Sequence, residues 1–73
     1  MESPLKLVAI PPVMSQEQFA IHLGVSQDTV RGWIQADTIP KVKVGKQNFV
    51  NVQLLQSELS KGKDIFSRGD YEQ

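Results

Sequence analysis

The spacing of apolar residues changes along this chain, and each change marks an element. Leu5 to Ile10 (LKLVAI) is a short apolar run closed by Pro11 and Pro12. Two prolines remove backbone donors and fix φ, so the run reads as a strand or an extended arm, not a helix. From Ser15 the pattern turns helical. The Ser15 hydroxyl can cap the free amides of the first turn, and Gln18, three residues on, can return the bond. This helix ends at Gly24, where the turn needs positive φ. Ser26 is a second cap, ahead of Gln27 to Gln35, in which Val30, Trp33 and Ile34 fall at the i, i+3, i+4 spacing of one buried stripe. Ile39-Pro40 then breaks the helix. The stretch KVKVGKQNFVNV alternates, with Val42 and Val44, then Phe49 or Val50, turned inward on two strands joined at Gly45-Lys46. Asn51 can cap a last helix from about Val52 to Ser60, with Val52, Leu55 and Leu59 on one face.

Residues 16 to 35, QEQFAIHLGVSQDTVRGWIQ, combine these signals into two helices joined by a tight turn. Phe19, Leu23, Val25, Val30 and Trp33 supply apolar contacts, and Ala20 is small where the helices approach, the requirements of a helix-turn-helix. With the hairpin behind it, the expected fold is a small α+β winged helix-turn-helix of about three helices with a two- or three-stranded antiparallel wing. Residues 1–61 form that domain with its N-terminal arm. Residues 62–73, polar, glycine-containing and without either period, are expected to form a flexible tail. A chain of 73 residues has room for one modest core. With no cysteine, that core must rest on aliphatic packing around Phe19 and Trp33. No apolar run approaches the roughly 20 residues that span a bilayer, and the first residues lack the regions of a signal peptide, so a soluble protein without a membrane partner is expected.

Charge sharpens the picture. The formal net charge is zero, yet Arg31, Lys41, Lys43 and Lys46 face the single acid Asp37 between positions 31 and 46, while Glu58, Asp64, Asp70 and Glu72 make the following part acidic. Once Val30, Trp33 and Ile34 turn inward, the second helix exposes Ser26, Gln27, Asp28, Arg31, Gly32 and Gln35. Gln27 and Arg31 can bond base edges, Ser26 and Thr29 can bond phosphates or bases, and Gly32 permits close backbone approach. Asp28 has three open roles: favouring the helix N-terminus, accepting from a cytosine amine, or orienting Arg31. The hairpin is open to two readings, a ribbon that closes the core or a wing in which Lys41, Lys43, Lys46, Gln47 and Asn48 touch the DNA backbone or minor groove. A helix-turn-helix can also serve only as a packing or protein-interaction unit. His22 has no partner at metal-ligand spacing and reads as a surface residue. Nucleophile elbow, phosphate loop and paired acids are all missing from the sequence, so no catalytic residue, metal or cofactor is expected.

The pieces FAIHLGVSQDTVRGWI and IPKVKVGKQNFVNV carry a resemblance. Over roughly residues 13 to 60, the order of helix, Gly turn, helix with a Trp near its end, Ile-Pro, Lys-rich hairpin and short closing helix is similar to the excisionase and Cox group. These small winged-helix proteins of phages and mobile elements are related in fold to the DNA-binding domains of the mercury-resistance regulators. The resemblance implies that Ser26 to Gln35 reads the major groove of double-stranded DNA and that Lys43, Lys46, Gln47 and Asn48 act in the wing. It further implies repeated sites filled by self-associating copies, an integrase as partner, promoter repression beside an excision role, and a place in the cytoplasm of a bacterial host. The long dimerisation helix and effector domain of a full mercury-type regulator are missing here, so ligand sensing has no support. A simple repressor and a free-standing interaction module remain alternatives.

Overall fold

Each helix begins where a short polar side chain takes up an unpaired amide. The computed structural model describes residues 11–72; the LKLVAI run lies outside them. Helix α1 spans Gln16–Leu23, α2 Gln27–Gln35 and α3 Val52–Ser60. Their caps are Ser15, Ser26 and Asn51, whose side-chain oxygens accept from the amides of Gln18 (3.1 Å), Thr29 (3.1 Å) and Leu54 (3.0 Å). The helix ends share a device too. After α1 the amide of Val25 reaches the Ala20 carbonyl and that of Gly24 the Ile21 carbonyl, with Gly24 at φ +74°. This is a Schellman turn, which satisfies carbonyls the last turn would leave bare. The same pair of bonds closes α2, from Thr38 to Trp33 and from Asp37 to Ile34, and closes α3, from Lys63 to Glu58 and from Gly62 to Leu59. At the end of α2 the left-handed position is held by Asp37, φ +57°, where glycine is usual.

Strands β1 (Val13–Met14), β2 (Lys41–Val44) and β3 (Gln47–Asn51) form an antiparallel sheet in the order β1-β3-β2. The fold is a small α+β winged-helix-like unit: three helices and a three-stranded antiparallel sheet. Strand β1 had no sequence signature, because two residues carry no period; it is held by its pairing with β3 and by the Pro12 carbonyl, which accepts from the Gln53 amide at the start of α3. Gly45, φ +62°, and Lys46, on the negative side, make the two-residue connection of β2 to β3, the pattern of a type II′ turn.

The register decides which side chains meet the helices, and it corrects one expectation. Met14, Val50 and Lys41 lie in one row across the sheet, and Lys43 pairs with Asn48. Because Met14 and Val50 are core residues, this is the face toward the helices; on it Lys41 is half-buried, and Lys43, nearer the tip, is exposed. Val42, paired with Phe49, and Val44, paired with Gln47, therefore lie on the outer face, and Val44 is 58% exposed. Of the apolar hairpin residues expected inside, only Val50 is fully buried.

The core comprises Met14, Phe19, Ala20, Val30, Ile34, Ile39, Val50 and Val52, with Trp33 and Leu55 packed at its margin. Leu23 and Leu59, expected inside, are half exposed at 52% and 50%, and Val25 follows the turn at 36%. Leu23 walls an apolar hollow of about 320 Å³ with Phe19, Trp33, Ile39, Leu55 and Phe66, so it borders the core without being enclosed by it.

The segment after α3 has neither helix nor strand, as its composition suggested, but it makes specific contacts that its composition did not. The Gly69 amide donates to the Ala36 carbonyl (2.8 Å) and the Tyr71 amide to that of Asp37 (2.9 Å), so the segment lies against the end of α2. The Tyr71 hydroxyl donates to Glu58 Oε1 on α3 (3.1 Å), and Tyr71 stacks on Phe66. Lys63 lies over the Phe66 ring and pairs with Asp70 at 3.0 Å. The Ser67 amide and Lys63 together hold the Asp70 carboxyl below its ordinary range.

Tyr71 is the chain's single tyrosine, so its titration reports this segment directly. Partial burial, then the bond to Glu58, push its phenol from 10.0 to about 12. The folded state favours the neutral phenol. Its contribution to stability is thus complete below about pH 10 and is lost as pH rises through about 12. Tyrosinate absorbance should show a midpoint near 12 in the folded protein. Glu58→Gln should lower it only part of the way, since burial is the larger cause. A folded-state midpoint at the ordinary value would mean that the segment is not docked.

Candidate nucleic-acid interface

Helix α2 is fixed in rotation by Val30 and Ile34, which are 0% and 2% exposed. The stripe beside them, about a quarter-turn round the helix, is then Gln27, Arg31 and Gln35 at i, i+4, i+8, all exposed. Ser26, Asp28, Thr29 and Gly32 are exposed as well. Several of these side chains are already bonded to one another. Ser26 Oγ and Thr29 Oγ1 are 2.8 Å apart, and Arg31 Nη1 donates to Asp28 Oδ1 at 2.6 Å. Gly32 faces open space, since a Cβ there would meet no atom within 4 Å, so packing within the chain does not require a glycine.

The hairpin tip comes round to the same side. Lys46, Gln47 and Asn48 line one groove of about 430 Å³ with Gln27, Arg31 and Gln35. Six of the twelve residues expected to contact DNA are thus brought together from two elements. The groove also takes Ser15, Gln16 and Glu17 at the start of α1, which sequence reasoning did not single out. The link is tertiary: Gln16 Nε2 donates to the Asn48 carbonyl at 2.9 Å and ties α1 to the hairpin tip. A contact between residues so far apart in the chain leaves no local signal. Asn48 Oδ1 is buried without a hydrogen-bond partner. An acceptor left so is costly, by about 1 to 3 kcal/mol, until an N–H reaches it.

The remaining wing residues divide. Lys43 is exposed on β2. Lys41 stands at the base of the hairpin, half-buried, with its Nζ 2.6 Å from Asp37 Oδ1. It closes the end of α2 and does not line the groove. The local charges are therefore not equivalent: Lys41 is engaged with Asp37 and Arg31 with Asp28, whereas Lys46 lines the groove at the tip of the wing. His22 is exposed in the last turn of α1. Among the described residues no group of three or more His, Cys, Asp or Glu is placed to hold a metal ion, and no helix is long and apolar enough to cross a membrane.

No protein-family model and no solved structure matches the chain. It is similar to the 10.1 kDa protein of Pseudomonas phage Pf1, with 42% identity over 64 residues, covering 84% of this chain and 71% of the phage protein.

The division of the basic residues is testable in the absence of any ligand. Asp37→Ala removes the partner of Lys41 and a side chain that tolerates the left-handed region better than alanine does, so unfolding by denaturant should show a loss of about 1 kcal/mol. Lys46→Ala, at an exposed turn, should stay within about 0.5 kcal/mol of the parent. Equal stabilities for the two variants would contradict this assignment.

Proposed function

The chain belongs to the same family as the 10.1 kDa protein of phage Pf1, and from the groove between helix and hairpin we propose that it is a sequence-specific DNA-binding protein. Helix α2 enters the major groove and the β2–β3 hairpin acts as a wing. The observation that carries this reading is the convergence of Gln27, Arg31 and Gln35 with Lys46, Gln47 and Asn48 on one side of the molecule. Amides and a guanidinium in a row are the groups that read base edges, and a lysine beside them suits a phosphate. Zero net charge limits the general attraction to DNA. A single module of this kind typically covers only about 600 to 1,000 Å². Useful occupancy then calls for several copies on repeated sites.

Within that reading, the resemblance to excisionases and the phage relative together favour an architectural role, directing an integrase toward excision, with promoter repression as a consequence of the same binding. A neighbouring integrase gene would separate this role from that of a simple repressor. Gel shifts across a salt series are the primary test. Binding should weaken steeply with salt, and Lys46→Ala should lower the magnitude of the log–log slope by about one on any sequence. Arg31→Ala should instead cost about 1 to 3 kcal/mol on a selected site and little on random DNA. Failure of the wild-type protein to shift duplex DNA at low salt would overturn the proposal.

A further inference from the structure

The ion pair on the exposed face of α2 adds only slightly to the stability of the helix. Arg31 Nη1 and Asp28 Oδ1 are 2.6 Å apart, yet the two side chains are 51% and 83% exposed. A pair so open to water contributes little to stability. The first turn of α2 is already capped by Ser26, whose hydroxyl also meets Thr29. An acid at position 28 suits the positive end of the helix, but that explains the charge and not its engagement with Arg31. What the contact does control is where a guanidinium in the middle of the groove-lining stripe points.

We infer that Asp28 is a specificity-determining residue, which holds Arg31 for base edges by keeping it off the phosphates; this rests on the DNA-binding reading above. An arginine on a DNA-facing helix meets two kinds of acceptor. Phosphate oxygens surround every site and carry no sequence information, whereas guanine O6 and N7 lie only in the groove. Arginine is long and flexible, and left alone it takes either. Asp28 acts on this choice twice. Its carboxylate accepts one of the five guanidinium N–H groups, which tethers the head over the helix and leaves its other donors for a base. Its negative charge, one turn before Arg31, also repels phosphate. Overall affinity is lowered and the ratio between right and wrong sequences is raised. The residue acts through Arg31 and is a positioning residue in that sense.

The test compares wild type, Asp28→Ala, Asp28→Asn, Arg31→Ala and the double variant Asp28→Ala/Arg31→Ala. The probes are a duplex selected by the wild-type protein from a randomised pool and the unselected pool itself, with melting temperatures measured in parallel. Asp28→Ala should bind the unselected pool several-fold more tightly than wild type, with a salt slope steeper by about one as Arg31 turns to phosphate. Its preference for the selected duplex should fall by roughly fivefold or more. Asp28→Asn, which keeps the shape and loses the charge, should move in the same direction. In the Arg31→Ala background, replacing Asp28 should leave the preference unchanged. A helix-stabilising role alone predicts parallel loss on both probes, tracking the melting temperature, and that result would overturn the inference. So would a change in preference that persists without Arg31. A wild-type protein that binds neither duplex would overturn the DNA-binding reading as well, whereas an unaltered ratio in Asp28→Ala would overturn this inference alone.

Discussion

Helix α2 is held in one rotation by two side chains. Val30 and Ile34 sit one turn apart and are enclosed in the same core cluster as Phe19, Ala20, Val50 and Val52. Turning the helix by a single residue, about 100°, would bring Arg31 and Gln35 into an apolar interior with no groups to receive them. That penalty is what places Gln27, Arg31 and Gln35 in a row on the outside. The hairpin is fixed by the same core, since Val50 in its central strand is also fully buried and Gln16 bonds to the backbone at its tip. Helix face and hairpin tip are therefore set relative to one another by shared packing.

Much of this was legible because the relevant signals are local. Ser15, Ser26 and Asn51 each precede a helix by one position, and each does bond the amide three residues on. Gly24 and the Gly45-Lys46 pair mark turns by their chemistry. The exposed stripe of α2 follows from its 3.6-residue period and two apolar anchors. What was not legible depends on pairing between distant segments. Lys41, Val42, Lys43 and Val44 alternate, but alternation states only that two faces differ, and the valines seemed the natural inner set. The register with β3 puts the lysines on the helix-facing side of an edge strand, where Lys41 meets Asp37 at the end of α2 and Lys43, nearer the tip, stays exposed. Leu23 and Leu59 fit the helical period and are still half exposed; Leu23 lines an apolar hollow that the core does not fill. The contacts of Gly69 and Tyr71 with α2 follow from neither period, being made by backbone amides whose partners no sequence pattern names.

The charges form a second layer of organisation. A formal net charge of zero conceals pairs that each serve a local end: Lys41 with Asp37 after α2, Lys63 with Asp70 under two aromatic rings, and Arg31 with Asp28 on the open face. The first two fasten segments together. The third joins two residues of one helical turn and links no separate segments.

Helix α2 is held differently at its two ends. Its N-cap and its Schellman turn bond residues a few positions apart. The carbonyls of Ala36 and Asp37, however, are met by the amides of Gly69 and Tyr71, and the Tyr71 hydroxyl is bonded in turn to Glu58 on α3. Contacts between segments so distant along the chain carry a larger loop-closure entropy than a cap does. The end of α2 nearest Gln35 thus depends on a segment from far along the chain, while the end nearest Ser26 is held by its own neighbours.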